Sequence, residues 1–78
     1  MTQRCTVQFL VETLHAKVGV PLNIVNIETA PWEELGVESL GLTEVCTSLE
    51  HAFGISIVYE EALTRSNVQE LVAFVNAI

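Results

Sequence analysis

Ser39 lies in the stretch ELGVESLGLTEV, Glu34–Val45, where a glycine-broken loop gives way to an apolar-periodic segment. A serine hydroxyl at such a junction has three chemical uses. It can cap a helix by accepting a backbone N–H. It can act as a nucleophile if a base stands beside it. It can also carry a phosphate, because the free N–H groups and positive dipole end of a helix start stabilise an anion. The cap reading lacks its usual reinforcement, since three residues on stands Leu42 and not Glu or Gln. The nucleophile reading would need His15 or His51 as base, and no oxyanion-hole motif or third partner accompanies them. A phosphate on Ser39 would sit beside the negative charge of Glu38, so its attachment calls for a metal ion or a basic partner. The remaining candidate ligands pair badly. Cys46 and His51 are five residues apart and diverge on a helix, and Cys5 and His15 are similarly mismatched, whereas structural zinc wants close ligand pairs. No resident metal site is expected.

The elements that would position Ser39 follow from hydrophobic periodicity. Val7, Leu10, Val11, Leu14 and Val18 form one helical stripe, which predicts a first helix from about Gln3 to Val18, ended by Gly19 and Pro21. A long connection, Gly19 to Glu38, carries Leu22, Ile24, Val25, Ile27, Trp32, Leu35 and Val37. So many apolar residues predict a loop packed over the core, with Trp32 as a lid. The second helix is predicted from Ser39 to Phe53, with Leu42, Val45, Cys46, Leu49, Ala52 and Phe53 on its buried side and Gly54 as its stop. Leu40 falls about 160° from Leu42 on that wheel, on the polar face with Thr43, Glu44, Thr47 and His51. YEEAL predicts one helical turn. A last helix is predicted near Ser66, capped by Ser66 with Gln69 or by Asn67, with Val68, Leu71, Val72, Val75 and Ile78 as its core stripe. The predicted fold is all-α: a small antiparallel four-helix bundle of three main helices and one short one, with a long first loop.

Composition narrows the functions open to such a bundle. Its 78 residues make one domain the prior, and half of them are hydrophobic, so the chain is core-rich. Ten glutamates and no aspartate face one lysine and two arginines, for a net charge of −7. That excludes the basic footprint nucleic acid requires and disfavours anionic membranes. It favours partners with basic patches, met by salt-sensitive steering. Two cysteines, 41 residues apart and each placed within a helix, do not make a disulfide scaffold, so a reducing cytoplasm is expected. No signal peptide is visible, because FLVETLHA is interrupted by Glu12 and His15, and a freestanding monomer is expected.

At Leu35-Gly36-Val37-Glu38-Ser39-Leu40 the sequence resembles the acyl carrier protein family, whose hallmark is Asp-Ser-Leu at the start of the second helix. Glu44-Val45, Leu49-Glu50 and Phe53-Gly54-Ile55 with Ile57 agree downstream, and NVQELVAFV resembles the family's fourth helix. The resemblance covers nearly the whole chain and implies one acyl-carrier-like domain over residues 1–78. It implies that a phosphopantetheinyl transferase, using coenzyme A and a divalent metal, joins a 4′-phosphopantetheine arm to Ser39. The arm's thiol then holds acyl groups for an acyltransferase, a ketosynthase or related enzymes. The carrier itself catalyses nothing, and its partners recognise the second helix and the loop before it, here Glu38, Leu40, Thr43, Glu44 and Thr47. Family members often let an acyl chain slip between the helices. Glu38 departs from the family's aspartate by one methylene, and Thr43 and Thr47 replace exposed apolar residues. This points to polyketide or other secondary metabolism. An aminoacyl or peptidyl carrier, and an interaction module in which Ser39 is only a cap, remain open at this level.

Overall fold

The computed structural model describes residues 4–78. Its four helices are α1 (Val7–Val18), α2 (Ser39–Phe53), α3 (Tyr59–Ala62) and α4 (Val68–Asn76), with no strand among the described residues. They form the antiparallel bundle expected from the periodicity, in which α1 packs on α2 and α4, and α3 packs on α2. No helix among the described residues is long and apolar enough to cross a membrane.

α1 begins at Val7 and not near Gln3, which itself lies outside the described residues. Thr6 is the reason: its side-chain oxygen accepts the Phe9 N–H at 3.0 Å and caps the helix there. Cys5 therefore precedes the helix. Its N–H donates to Asn76 Oδ1 at 2.8 Å and its carbonyl accepts from Asn76 Nδ2 at 2.9 Å, which clips the chain to the end of α4. α2 has the predicted bounds and stops at Gly54, whose φ of 64° is the left-handed conformation glycine adopts without strain. α4 is capped by Asn67, which accepts the Glu70 N–H at 2.9 Å, while Glu70 Oε1 accepts the Ser66 N–H at 2.9 Å. Of the two expected caps it is Asn67 that serves, and Glu70, not Gln69, returns a bond, to the residue before the cap.

Leu10, Leu14, Val45, Cys46, Leu49, Val68 and Leu71 form the inaccessible centre. Two residues assigned to core stripes are instead exposed. Ala52 is exposed on the outer flank of α2, and Ile78 is exposed beyond the end of α4. The long loop packs as expected in its second half. Ile27, Trp32, Leu35 and Val37 are buried, whereas Leu22 and Val25 face solvent. Trp32 Nε1 donates to the Arg65 carbonyl at 2.7 Å, and the Gln69 N–H donates to the Glu28 carbonyl at 2.9 Å. These two bonds fasten the loop to the α3–α4 connection and to the first turn of α4.

Candidate functional site

The approach to α2 is fixed by a turn at Pro31–Val37. Gly36 has φ 71°, and the reversal lets the Val37 N–H reach the Trp32 carbonyl at 2.9 Å. Leu35 and Val37 go into the core, and the chain emerges at the surface at Glu38 and Ser39. Glu38 is the N-cap, in extended conformation, and its side chain makes no capping bond. Its carbonyl accepts the first helical bond, from the Leu42 N–H at 2.9 Å.

Ser39 is thus the first residue of the helix and not its cap, which overturns the structural reading of the serine. An N-cap oxygen reaches the N–H groups two and three residues ahead only from the half-in position, and that position belongs to Glu38. The Ser39 side chain is exposed, and its hydroxyl makes no hydrogen bond among the described residues. The N–H groups of Ser39, Leu40 and Gly41 precede the first intrahelical donor and also have no acceptor there. A free hydroxyl thus stands at the positive end of a helix of 15 residues, beside three unpaired donors. His51 lies about 18 Å farther along the axis, out of reach as a base.

Leu40 is 72 % exposed, as the wheel requires. With Glu38, Glu44 and Gly41 it lines a shallow cleft of about 290 Å³ that also contains Lys17, Val18 and Gly36. Gly41 makes the cleft possible: a Cβ there would lie 3.4 Å from both Val18 methyls, so the first turn of α2 rests on the last turn of α1. An adjoining cleft joins Lys17, Glu44, Thr47 and Ser48. Four of the five expected recognition residues therefore border two neighbouring clefts. Thr43 stands apart, half-buried, its hydroxyl donating to the Ser39 carbonyl at 2.9 Å. Lys17 was not singled out in the sequence. Its position in the last turn of α1, whose stripe faces α2, was the available signal.

The other flank of α2 holds a polar cluster that sequence reasoning also missed. Glu50 Oε2 accepts the Ile57 N–H at 2.7 Å, and Glu50 Oε1 accepts the Tyr59 hydroxyl at 2.8 Å. The Tyr59 oxygen lies 3.1 Å from Thr47 Oγ1. These bonds, the Ile57 N–H first and the Tyr59 hydroxyl second, hold the Glu50 carboxyl below the ordinary glutamate range. Burial, and then the Glu50 carboxylate, push the Cys46 thiol up to about 11. Burial also raises the Cys5 thiol, and both cysteines are free. Among the described residues no three histidine, cysteine or acidic side chains converge as a metal site.

An exposed, unengaged serine thus heads the second helix of a small all-helical bundle. The comparisons with known proteins give the family of that bundle. The model of the phosphopantetheine attachment site family matches residues 8–75. The acyl carrier protein of Solidesulfovibrio magneticus is 33 % identical over 64 residues, 82 % of this chain and 82 % of that protein. That of Nitratidesulfovibrio vulgaris is 36 % identical over 59 residues, covering 76 % and 78 %. Among solved structures, the 3-oxo-butyl acyl carrier protein of the Streptomyces coelicolor actinorhodin polyketide synthase, an intermediate mimic, superposes with a TM-score of 0.83 at 26 % identity, over 99 % of this chain and 93 % of that one. The holo form of the actinorhodin carrier gives a TM-score of 0.82 at 26 % identity, with the same coverage. The chain belongs to the phosphopantetheine-attachment family and, within it, to the acyl carrier proteins. Its cofactor is a covalently attached 4′-phosphopantetheine, and it works with a phosphopantetheinyl transferase and acyl-processing enzymes.

Proposed function

We propose that Ser39 is the attachment point of the arm, and that the chain is a non-catalytic, cytoplasmic carrier domain for polyketide intermediates. The observation that carries the site is the exposed Ser39 hydroxyl, first in α2 and free of any capping bond. The three unpaired N–H groups beside it offset the charge of a phosphodiester, whose bridging oxygen would be Ser39 Oγ. When bound, the arm supplies a thiol that holds an acyl group as a thioester. The chain's residues contribute position and recognition. Glu38, Leu40, Glu44 and Thr47 border the clefts beside the serine and offer a partner an acidic surface around one exposed leucine, with Thr43 behind them. Support for polyketide cargo comes from the actinorhodin carriers, two of which bear 3-oxobutyl and 3,5-dioxohexyl mimics. Free buried cysteines fit a reducing compartment.

The test is intact mass after incubation of the apo protein with coenzyme A, magnesium and a broad-specificity transferase. Wild type should gain the mass of the arm and Ser39→Ala should gain nothing. No gain on wild type, or equal gain on both, overturns the assignment. Leu40→Ala and Glu44→Lys should slow the same modification while leaving thermal melting nearly unchanged. Unchanged rates in both remove those residues from the interface.

A further inference from the structure

We infer that Tyr59 determines which cargo the bundle admits. With Glu50 and Thr47 it forms a clasp across the α2–α3 seam that keeps the acyl chain outside the bundle, so that the protein carries short, oxygenated chains exposed on the arm. The inference rests on Ser39 being the attachment point.

The four residues of α3 are too few to be stable alone. The turn is held by two things: the burial of Ile57 and Ala62, and the bonds that run from this segment to Glu50. Glu50 uses one carboxylate oxygen on the Ile57 N–H and the other on the Tyr59 hydroxyl, so a single side chain of α2 grips the entry to α3 at two points. Thr47, one turn earlier on α2, touches the same Tyr59 oxygen. On the helix wheel Leu42, Cys46 and Leu49 lie beside this row on the interior side. All three are buried, so the interior beneath the seam is closed.

An apolar chain entering between α2 and α3 would have to part these bonds. It offers neither a donor to Glu50 nor an acceptor to the Tyr59 hydroxyl in return, so those bonds are lost without replacement. An oxygenated chain has a less costly position at the surface. Thr47 Oγ1 has two acceptors in reach, the Thr43 carbonyl at 3.0 Å and the Tyr59 oxygen at 3.1 Å, and can instead donate to a cargo carbonyl. That exchange leaves the Glu50–Tyr59 bond intact. Thr47 is about 12 Å along α2 from Ser39, on an exposed face within reach of an extended arm.

The experiment compares wild type and Tyr59→Phe, each loaded with an octanoyl or an acetoacetyl group. Intact mass confirms loading first, so a failure to load at Ser39 is a failure of the attachment reading and is seen separately. Backbone amide NMR and hydrogen exchange over residues 42–49 and 55–63 then report entry into the seam. On wild type the octanoyl group should leave these amides as they are in the unacylated holo form. On Tyr59→Phe the free holo form should exchange about tenfold faster across α3, for the loss of one hydrogen bond to a charged group, and the octanoyl group should shift amides on both sides of the seam. Octanoyl-induced shifts of the same size in wild type overturn the clasp, whatever the variant does. So does a folded Tyr59→Phe that leaves the chain outside. If Tyr59→Phe does not fold, Glu50→Gln, which weakens the same bond while leaving Tyr59 whole, gives the second reading.

Discussion

Ser39 and Glu38 divide two tasks that a single residue often combines. Glu38 takes the N-cap position but, lacking a side-chain bond to the first turn, leaves the donors there free. Ser39, one position on, keeps its hydroxyl free for chemistry. The stability consequence separates this arrangement from a capping serine. Loss of a true cap costs about 0.5–2 kcal/mol, whereas Ser39→Ala should change unfolding free energy by less than about 0.5 kcal/mol in urea titration. Glu38→Asp, with the shorter carboxylate that capping prefers, should gain up to about 1 kcal/mol in the same titration. The proposed attachment residue stands out in the sequence because its motif is local and its flanks recur at fixed spacing. The helix start at Ser39 was legible too, but whether the serine caps the helix or opens it was not, since the two differ by one step in the backbone, which composition does not encode.

Helix boundaries were legible where glycine or a strong stripe marks them and were displaced where a side-chain bond decides. α2 ends at Gly54 as read, and α1 starts late because Thr6 captures the Phe9 N–H. Asn67 caps α4, so Asn67→Ala should cost about 0.5–2 kcal/mol, read as a lower urea midpoint at unchanged slope. The α2–α3 connection carries the clearest pH dependence. Glu50 titrates below its ordinary value near 4.5 because the folded chain bonds its ionised form. The native state therefore holds fewer protons on Glu50 than the unfolded state does. The stability it contributes is complete above the unfolded value and is lost as pH falls through the lower folded value. Glu50→Gln should flatten that acid limb in melting scans between neutral pH and about pH 3. Neither Glu50 nor Tyr59 stood out in the sequence as a pair, because nine residues and a reversal of the chain separate them.

Across the whole molecule, the long loop closes the bundle. The abundance of apolar residues in it was enough to read that it packs. Which of them pack was not, because burial of Ile27 and Trp32, and exposure of Leu22 and Val25, depend on anchors far along the chain at Arg65 and Gln69. Trp32→Phe keeps most of the ring and leaves the Arg65 carbonyl without its indole donor. That should cost about 1–3 kcal/mol, seen as a melting temperature lower by about 4–8 °C for each kcal/mol in a domain of this size. The same tight closure has a chemical consequence for the load the protein bears. A thioester passes readily to any competent thiolate, so a reactive cysteine on a carrier would steal cargo from its own arm and strand it. Here Cys5 and Cys46 are 3 % and 1 % exposed, and both thiols are held toward the protonated form. The only sulfur able to exchange at neutral pH is then the one at the end of the arm, and the scaffold is a bystander to the bond it presents.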